Sequence, residues 1–76
     1  MKKAYLAVLD SGGISYGGPE FHGFGRTEEE AKEKATEEYI RGFDEVPKRF
    51  VDFSAEDVTA DRLNDFYGFR IYEGYL

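Results

Sequence analysis

No cysteine and no tryptophan occur among the 76 residues, and histidine and methionine occur once each. The missing thiols exclude a disulfide framework and any thiolate metal site, so a chain this short must hold together by packing. One imidazole without a thiol falls short of the four-ligand sets that zinc sites draw largely from those groups, so neither metal nor cofactor is expected. No run approaches the ~20 apolar residues of a membrane span, and no signal peptide opens the sequence. The expectation is one domain over residues 1–76, cytoplasmic and without a membrane partner.

Aromatic residues are plentiful instead, with seven phenylalanines and six tyrosines. Each can bury ~150–250 Å², which is how a small chain assembles a core. The net charge is −6, unevenly placed: residues 1–27 carry +1, whereas residues 28–76 hold seven bases against fourteen acids. Such a field disfavours direct binding to nucleic acid or an anionic membrane and favours a basic partner. Acidity also simply keeps small proteins soluble.

Residues 28–41 read as one amphipathic helix with both ends written in the sequence. Thr27 can cap the first turn, and Glu30, three residues on, can reach back to the Thr27 amide in a capping box. Gly42 supplies the left-handed residue that commonly ends a helix. Glu28–Lys32, Glu30–Lys34 and Glu37–Arg41 stand four apart with the acid on the favourable side. The stripe Ala31, Ala35, Tyr39, Ile40 and Phe43 should lie on a sheet. Its alanines would let the backbone approach closely, and its larger residues would fill the far end.

Before the helix, residues 3–9 are apolar on both parities and predict a central strand. Asp10-Ser11-Gly12-Gly13 reads as a turn and Ile14-Ser15-Tyr16 as the start of a return strand. Gly17-Gly18-Pro19 suits a bulge or bend at an edge, and residues 20–24 a short third strand. After the helix, Val46-Pro47 marks a break and residues 48–53 an extended segment. Ser54 followed by Asp57 is a second helix start, with poor periodicity through Val58, Leu63 and Phe66, so a short helix or turns are expected. Residues 67–73 alternate, with Tyr67, Phe69 and Ile71 toward the core and Arg70 and Tyr72 away from it. The fold class is therefore α+β: one mostly antiparallel sheet of three to five strands on one main helix, in the order β-β-(β)-α-β-(short α)-β.

Catalytic patterns are scarce. His22, between Phe21 and Gly23, lacks the neighbours of a catalytic histidine. Gly12-Gly13 and Gly17-Gly18 neither precede a helix nor carry the lysine of a phosphate loop, and Gly25 is followed by glutamates that would repel phosphate. Glu56 and Asp57 are adjacent and would point apart on a helix, a poor glycosidase pair. The chain reads as non-enzymatic. Tyr5, Tyr16 and Tyr72 can be drawn as a stacking face for single-stranded nucleic acid, but only Lys2, Lys3, Arg26 and Arg70 lie near it. Those tyrosines equally suit a half-exposed sheet or a homodimer contact.

The acidic rows carry the stronger signal. Glu29, Glu33 and Glu37, with Glu30 beside them, crowd the solvent side of the main helix. Asp52, Glu56, Asp57, Asp61 and Asp65 recur downstream against Arg62 alone. Two rows of carboxylates can meet a Lys/Arg groove and give steering and specificity. A solvated helix face has the same appearance. The candidate partner-binding residues are Glu29, Glu33, Glu37, Asp57, Asp61, Asp65 and Tyr72.

Three stretches of the first half resemble HicB-type antitoxins: the glycine turn Asp10-Ser11-Gly12-Gly13, the link Pro19-Glu20-Phe21-His22-Gly23-Phe24, and the helix start Gly25-Arg26-Thr27-Glu28-Glu29-Glu30-Ala31. The link to the helix is shorter than that family's pattern, and its DNA-binding C-terminal segment is not recognisable here. By type, small acidic cysteine-free α+β chains also look like phage-encoded inhibitors of bacterial defence such as anti-CRISPR proteins, with no motif to carry over. Together these imply an inhibitor that occludes the basic, nucleic-acid-handling surface of a nuclease complex or a toxin. The alternatives are a HicB-like antitoxin without a DNA-binding part and a sheet-face binder of single-stranded nucleic acid.

Overall fold

The computed structural model describes residues 2–10, 20–42 and 55–75. Three strands and two helices follow one another as β1 (Lys3–Asp10), β2 (Glu20–Gly25), α1 (Glu28–Arg41), α2 (Ala60–Phe66) and β3 (Phe69–Tyr75), with a 3₁₀ turn at Ala55–Asp57 before α2. The sheet is antiparallel in the order β2-β1-β3, so the strand that is apolar on both parities is the central one. The fold is α+β, one three-stranded sheet with a main helix and a short second one. The expected return strand at Ile14, the bend at Gly17-Gly18-Pro19, the extended segment at residues 48–53 and the helix start at Ser54 lie outside the described residues, as do Tyr16 and Phe43.

Register and pleat divide the sheet into two faces. Leu9 stands between Phe21 and Phe69, Ala7 between Gly23 and Ile71, and Tyr5 between Gly25 and Glu73. Buried Ala7, Leu9, Phe21 and Gly23 mark this as the face that carries α1. On the other face Val8 lies between His22 and Arg70, and Leu6 between Phe24 and Tyr72.

The helix settles on its sheet through two clusters. Ala31 and Ala35 are fully buried with Ala7 at the narrow end, where Tyr5, Phe69 and Ile71 close in around them. At the wide end Tyr39 is fully buried with Leu9, Phe21, Val58 and Leu63, and Tyr67 and Phe69 pack against them. The Tyr39 ring meets Phe21 edge-on at 5.4 Å and Tyr67 at 6.2 Å. Two glycines of β2 answer the two alanines. A Cβ on Gly23 would lie 2.2 Å from the Ala35 amide nitrogen and 2.4 Å from the Ala31 carbonyl oxygen, and one on Gly25 would lie 2.5 Å from the Ala31 nitrogen. At Gly23 backbone meets backbone, and at Gly25 the added Cβ would also come within 2.7 Å of the Glu30 Cβ, beside the helix backbone.

Several local expectations are corrected. Ile40 is 40 % exposed, because a helical turn of 100° puts it past the edge of the stripe that Tyr39 occupies. Gly42 ends the helix at φ −95°, not in the left-handed region; its Cβ would come 2.7 Å from the Phe21 ring, so close approach is what a side chain would disturb. Thr27 does cap α1, its Oγ1 accepting the Glu30 N–H at 3.0 Å, but the Glu30 carboxylate accepts from the Arg26 amide and not from Thr27. Among the described residues the ion pairs of α1 are Lys34–Glu37 at 3.8 Å and Glu38–Arg41 at 2.6 Å, both three apart, instead of the expected spacing of four. The second helix begins at Ala60, with Thr59 as its cap. Tyr67 is the last residue of that helix's cap rather than the start of the strand, and Gly68 at φ 87° turns the chain into β3. Gly68 is the one described glycine whose backbone requires the left-handed region.

Candidate functional site: an acidic groove between the two helices

Positions 29, 33, 36 and 37 of α1 recur with the helical period, on the side away from the alanine stripe. The first turn of α2 comes up beside that side because Val58 and Leu63 are held in the core around Tyr39. Between the helices runs a groove of about 590 Å³, walled by Glu29, Lys32, Glu33, Thr36 and Glu37 from α1 and by Thr59, Ala60 and Asp61 from the start of α2.

Among the described residues four carboxylates therefore border one groove against one cation, Lys32. Glu29, Glu33 and Asp61 have no ion-pair partner among the described residues, and Glu37 makes the long contact to Lys34. The two hydroxyls of the lining are engaged with backbone. Thr36 donates to the Lys32 carbonyl at 2.8 Å, and Thr59 accepts the Arg62 N–H at 3.2 Å. What the groove offers a visitor is carboxylate oxygen.

The structure thus brings Glu29, Glu33, Glu37 and Asp61 together and leaves three other candidates apart. Asp57 ends the 3₁₀ turn, and the non-helical Val58-Thr59 separates it from Asp61, so these two do not share a helix face as their spacing of four would imply. Asp65 is exposed on α2 but does not line the groove. Tyr72 lies across the sheet, on the face turned away from α1.

The proposed stacking face is also rearranged. Tyr5 stands on the α1 side and packs against the alanine cluster, whereas Tyr72 stands on the opposite face of the sheet. The aromatic neighbour of Tyr72 across Leu6 is Phe24, 70 % exposed against 50 % for Tyr72. Sequence reasoning missed Phe24 because the parity of β2 is set by its pairing with β1, whose interruption by glycines and a proline hides the register. Arg70, on the face of Tyr72, pairs with Glu20, whereas Lys3 stands on the α1 side of the sheet, where it pairs with Glu73 at 3.2 Å. That carboxylate raises the Lys3 pKa above its ordinary value, first through the hydrogen bond and then through its charge. His22 is exposed on the face that holds Arg70 and Tyr72.

Among the described residues no three of His, Cys, Asp and Glu converge as a metal site would require. No helix among them is long and apolar enough to cross a membrane. Comparison with protein-family models, with curated proteins and with solved structures finds no match for this chain.

Proposed function

We propose that this chain is a non-enzymatic inhibitor that acts in the cytoplasm, seating its acidic groove on the basic, nucleic-acid-handling surface of a partner protein. The observation that carries this reading is the convergence of Glu29, Glu33, Glu37 and Asp61 on one groove from two separate helices. Fixed carboxylates at the rim of a groove match lysine and arginine side chains that otherwise hold phosphates, and the match speeds encounter and suppresses wrong partners. A phage-type inhibitor of a nuclease complex is the first instance of the reading. A HicB-like antitoxin without its DNA-binding part is the second, and a prophage or toxin-gene neighbourhood separates them.

The test uses the full chain immobilised in bacterial lysate, followed by kinetics on the captured protein. Reversing Glu33, Glu37 and Asp61 together to lysine should abolish capture, while reversing Asp57 and Asp65, outside the groove, should leave it. The association rate should fall steeply with salt, since exposed charges are screened over ~8–10 Å near physiological ionic strength. Capture that survives the triple reversal, or that yields no nucleic-acid-handling protein, sinks the proposal.

A second reading is favoured by one observation, the row Phe24–Leu6–Tyr72 on the open sheet face, which has the look of a stacking platform for single-stranded nucleic acid. It lacks a basic track, because Arg70, the one lysine or arginine that the strands place on this face, is paired with Glu20. A gel shift at low salt that disappears in Phe24→Ala would favour it over the groove.

A further inference from the structure

A second hollow lies at the other end of α2 from the acidic groove and has different chemistry. It measures about 460 Å³ and is walled by Val8, Phe66, Tyr67 and Phe69, with Asp10 and Arg70 as the charged members among the described residues. Phe66 and Tyr67 stand edge-to-face at 4.7 Å, and Phe66 keeps 47 % of its surface exposed, so aromatic faces are on offer. Arg70 is engaged with Glu20 across the sheet, which neutralises its charge. Asp10 is the odd member. Its Oδ1 is closed off from solvent and has no hydrogen-bond partner among the described residues.

A carboxylate with one oxygen withdrawn from water is poorly solvated, and a cation placed beside the group offsets part of that cost. The two oxygens of the carboxylate are equivalent and share its charge, so a donor seated in the hollow meets the group through the other oxygen of this lining residue without backbone movement. Aromatic faces beside a carboxylate make a setting for a cation, and the planar, weakly hydrated guanidinium suits it better than an ammonium. We propose that this hollow is a socket for a guanidinium group, the arginine side chain of a protein or peptide. The socket is independent of the acidic groove and stands whether or not the groove binds a partner.

The experiment is a titration of the full isotope-labelled chain, followed by amide NMR shifts. N-acetyl-arginine amide should move the amides of Asp10, Tyr67, Gly68 and Phe69 in a saturable way. The neutral isostere N-acetyl-citrulline amide should leave them in place, and N-acetyl-lysine amide should bind several-fold more weakly. Free arginine, whose own carboxylate meets the negative field of the chain, should also bind more weakly than the amide, which distinguishes a presented side chain from a metabolite. Asp10→Asn should lower the affinity at least about tenfold, the loss of one charge-assisted contact. A thermal melt shows whether that variant is folded, and Phe66→Ala, at a half-exposed position, provides a second variant with a several-fold loss. Reversal of Glu33, Glu37 and Asp61 should leave the shifts at Asp10 and Gly68 intact. Equal shifts from the citrulline compound, shifts confined to the acidic groove, or no shifts at these four amides would each overturn the proposal.

Discussion

At Gly23 the missing side chain is itself the contact. Any Cβ there would sit inside the backbone of α1, which cannot yield as a flexible side chain does, so Gly23→Ala should cost about 3 kcal/mol, at the upper end of overpacking. Ala35→Leu, from the other side of the same seam, should cost ~1–3 kcal/mol. Denaturant midpoints check both, and an unchanged midpoint for either would mean the layers are further apart than described. Tyr39 makes a different prediction. Burial first, and then the neighbouring Tyr67 hydroxyl, push its phenol well above the ordinary value of 10.0. The folded state therefore holds that proton more tightly than the unfolded chain. This contribution is fully present below pH 10 and is lost progressively as the pH rises from there toward the folded value. Melts of wild type and Tyr39→Phe between pH 8 and strongly alkaline conditions should differ in slope above pH 10 if this group is responsible: the variant should lose the steep alkaline limb.

The elements differ in how openly the sequence announced them. The helix α1 was legible to the residue, because Thr27, the alanine spacing and the change to Gly42 all speak locally. Replacing Thr27 by Ala should cost ~1 kcal/mol through the lost cap, measurable by chemical melts. The central place of β1 was legible from its two apolar parities, and the inward Phe69 and Ile71 of β3 from their alternation. The start of α2 was less so. The helix begins after Thr59, which no local pattern had marked, and that start depends on Val58 and Leu63 reaching the Tyr39 cluster, a tertiary fact. The faces of β2 were hidden for the same reason, and with them the exposure of Phe24 and the part played by Gly23 and Gly25. As for the candidate site, the acidic side of α1 was read from helical period alone. That Asp61 joins it while Asp57 and Asp65 do not follows from where α2 docks, which no local pattern encodes.

On the scale of the molecule the charge is lopsided, with an excess of seven negative charges over residues 28–76. Glutamates 28, 29, 30, 33, 37 and 38 share one helix with only Lys32, Lys34 and Arg41 to offset them. Self-repulsion of this kind opposes compaction and is relieved by screening. The melting temperature should therefore rise as sodium chloride is added from near zero to physiological strength, before any partner is present. A flat or falling trend would mean that the local ion pairs outweigh the field of the whole.

The seam where Gly23 and Gly25 meet Ala31 and Ala35 has a consequence for how this protein can change over generations. Because the spacing of the layers is set by main chain, the four positions form one unit in which a larger residue at any member is barred. A saturation library selected for folding should return almost nothing beyond glycine at positions 23 and 25 and only the smallest residues at 31 and 35. Positions 29, 33 and 37, one helix diameter away, should accept nearly any polar residue in the same library. Scaffold and contact surface are thus under separate constraint, and a lineage carrying this fold is free to rewrite the chemistry of its outer helix face, and so its choice of target, while the seam beneath stays still.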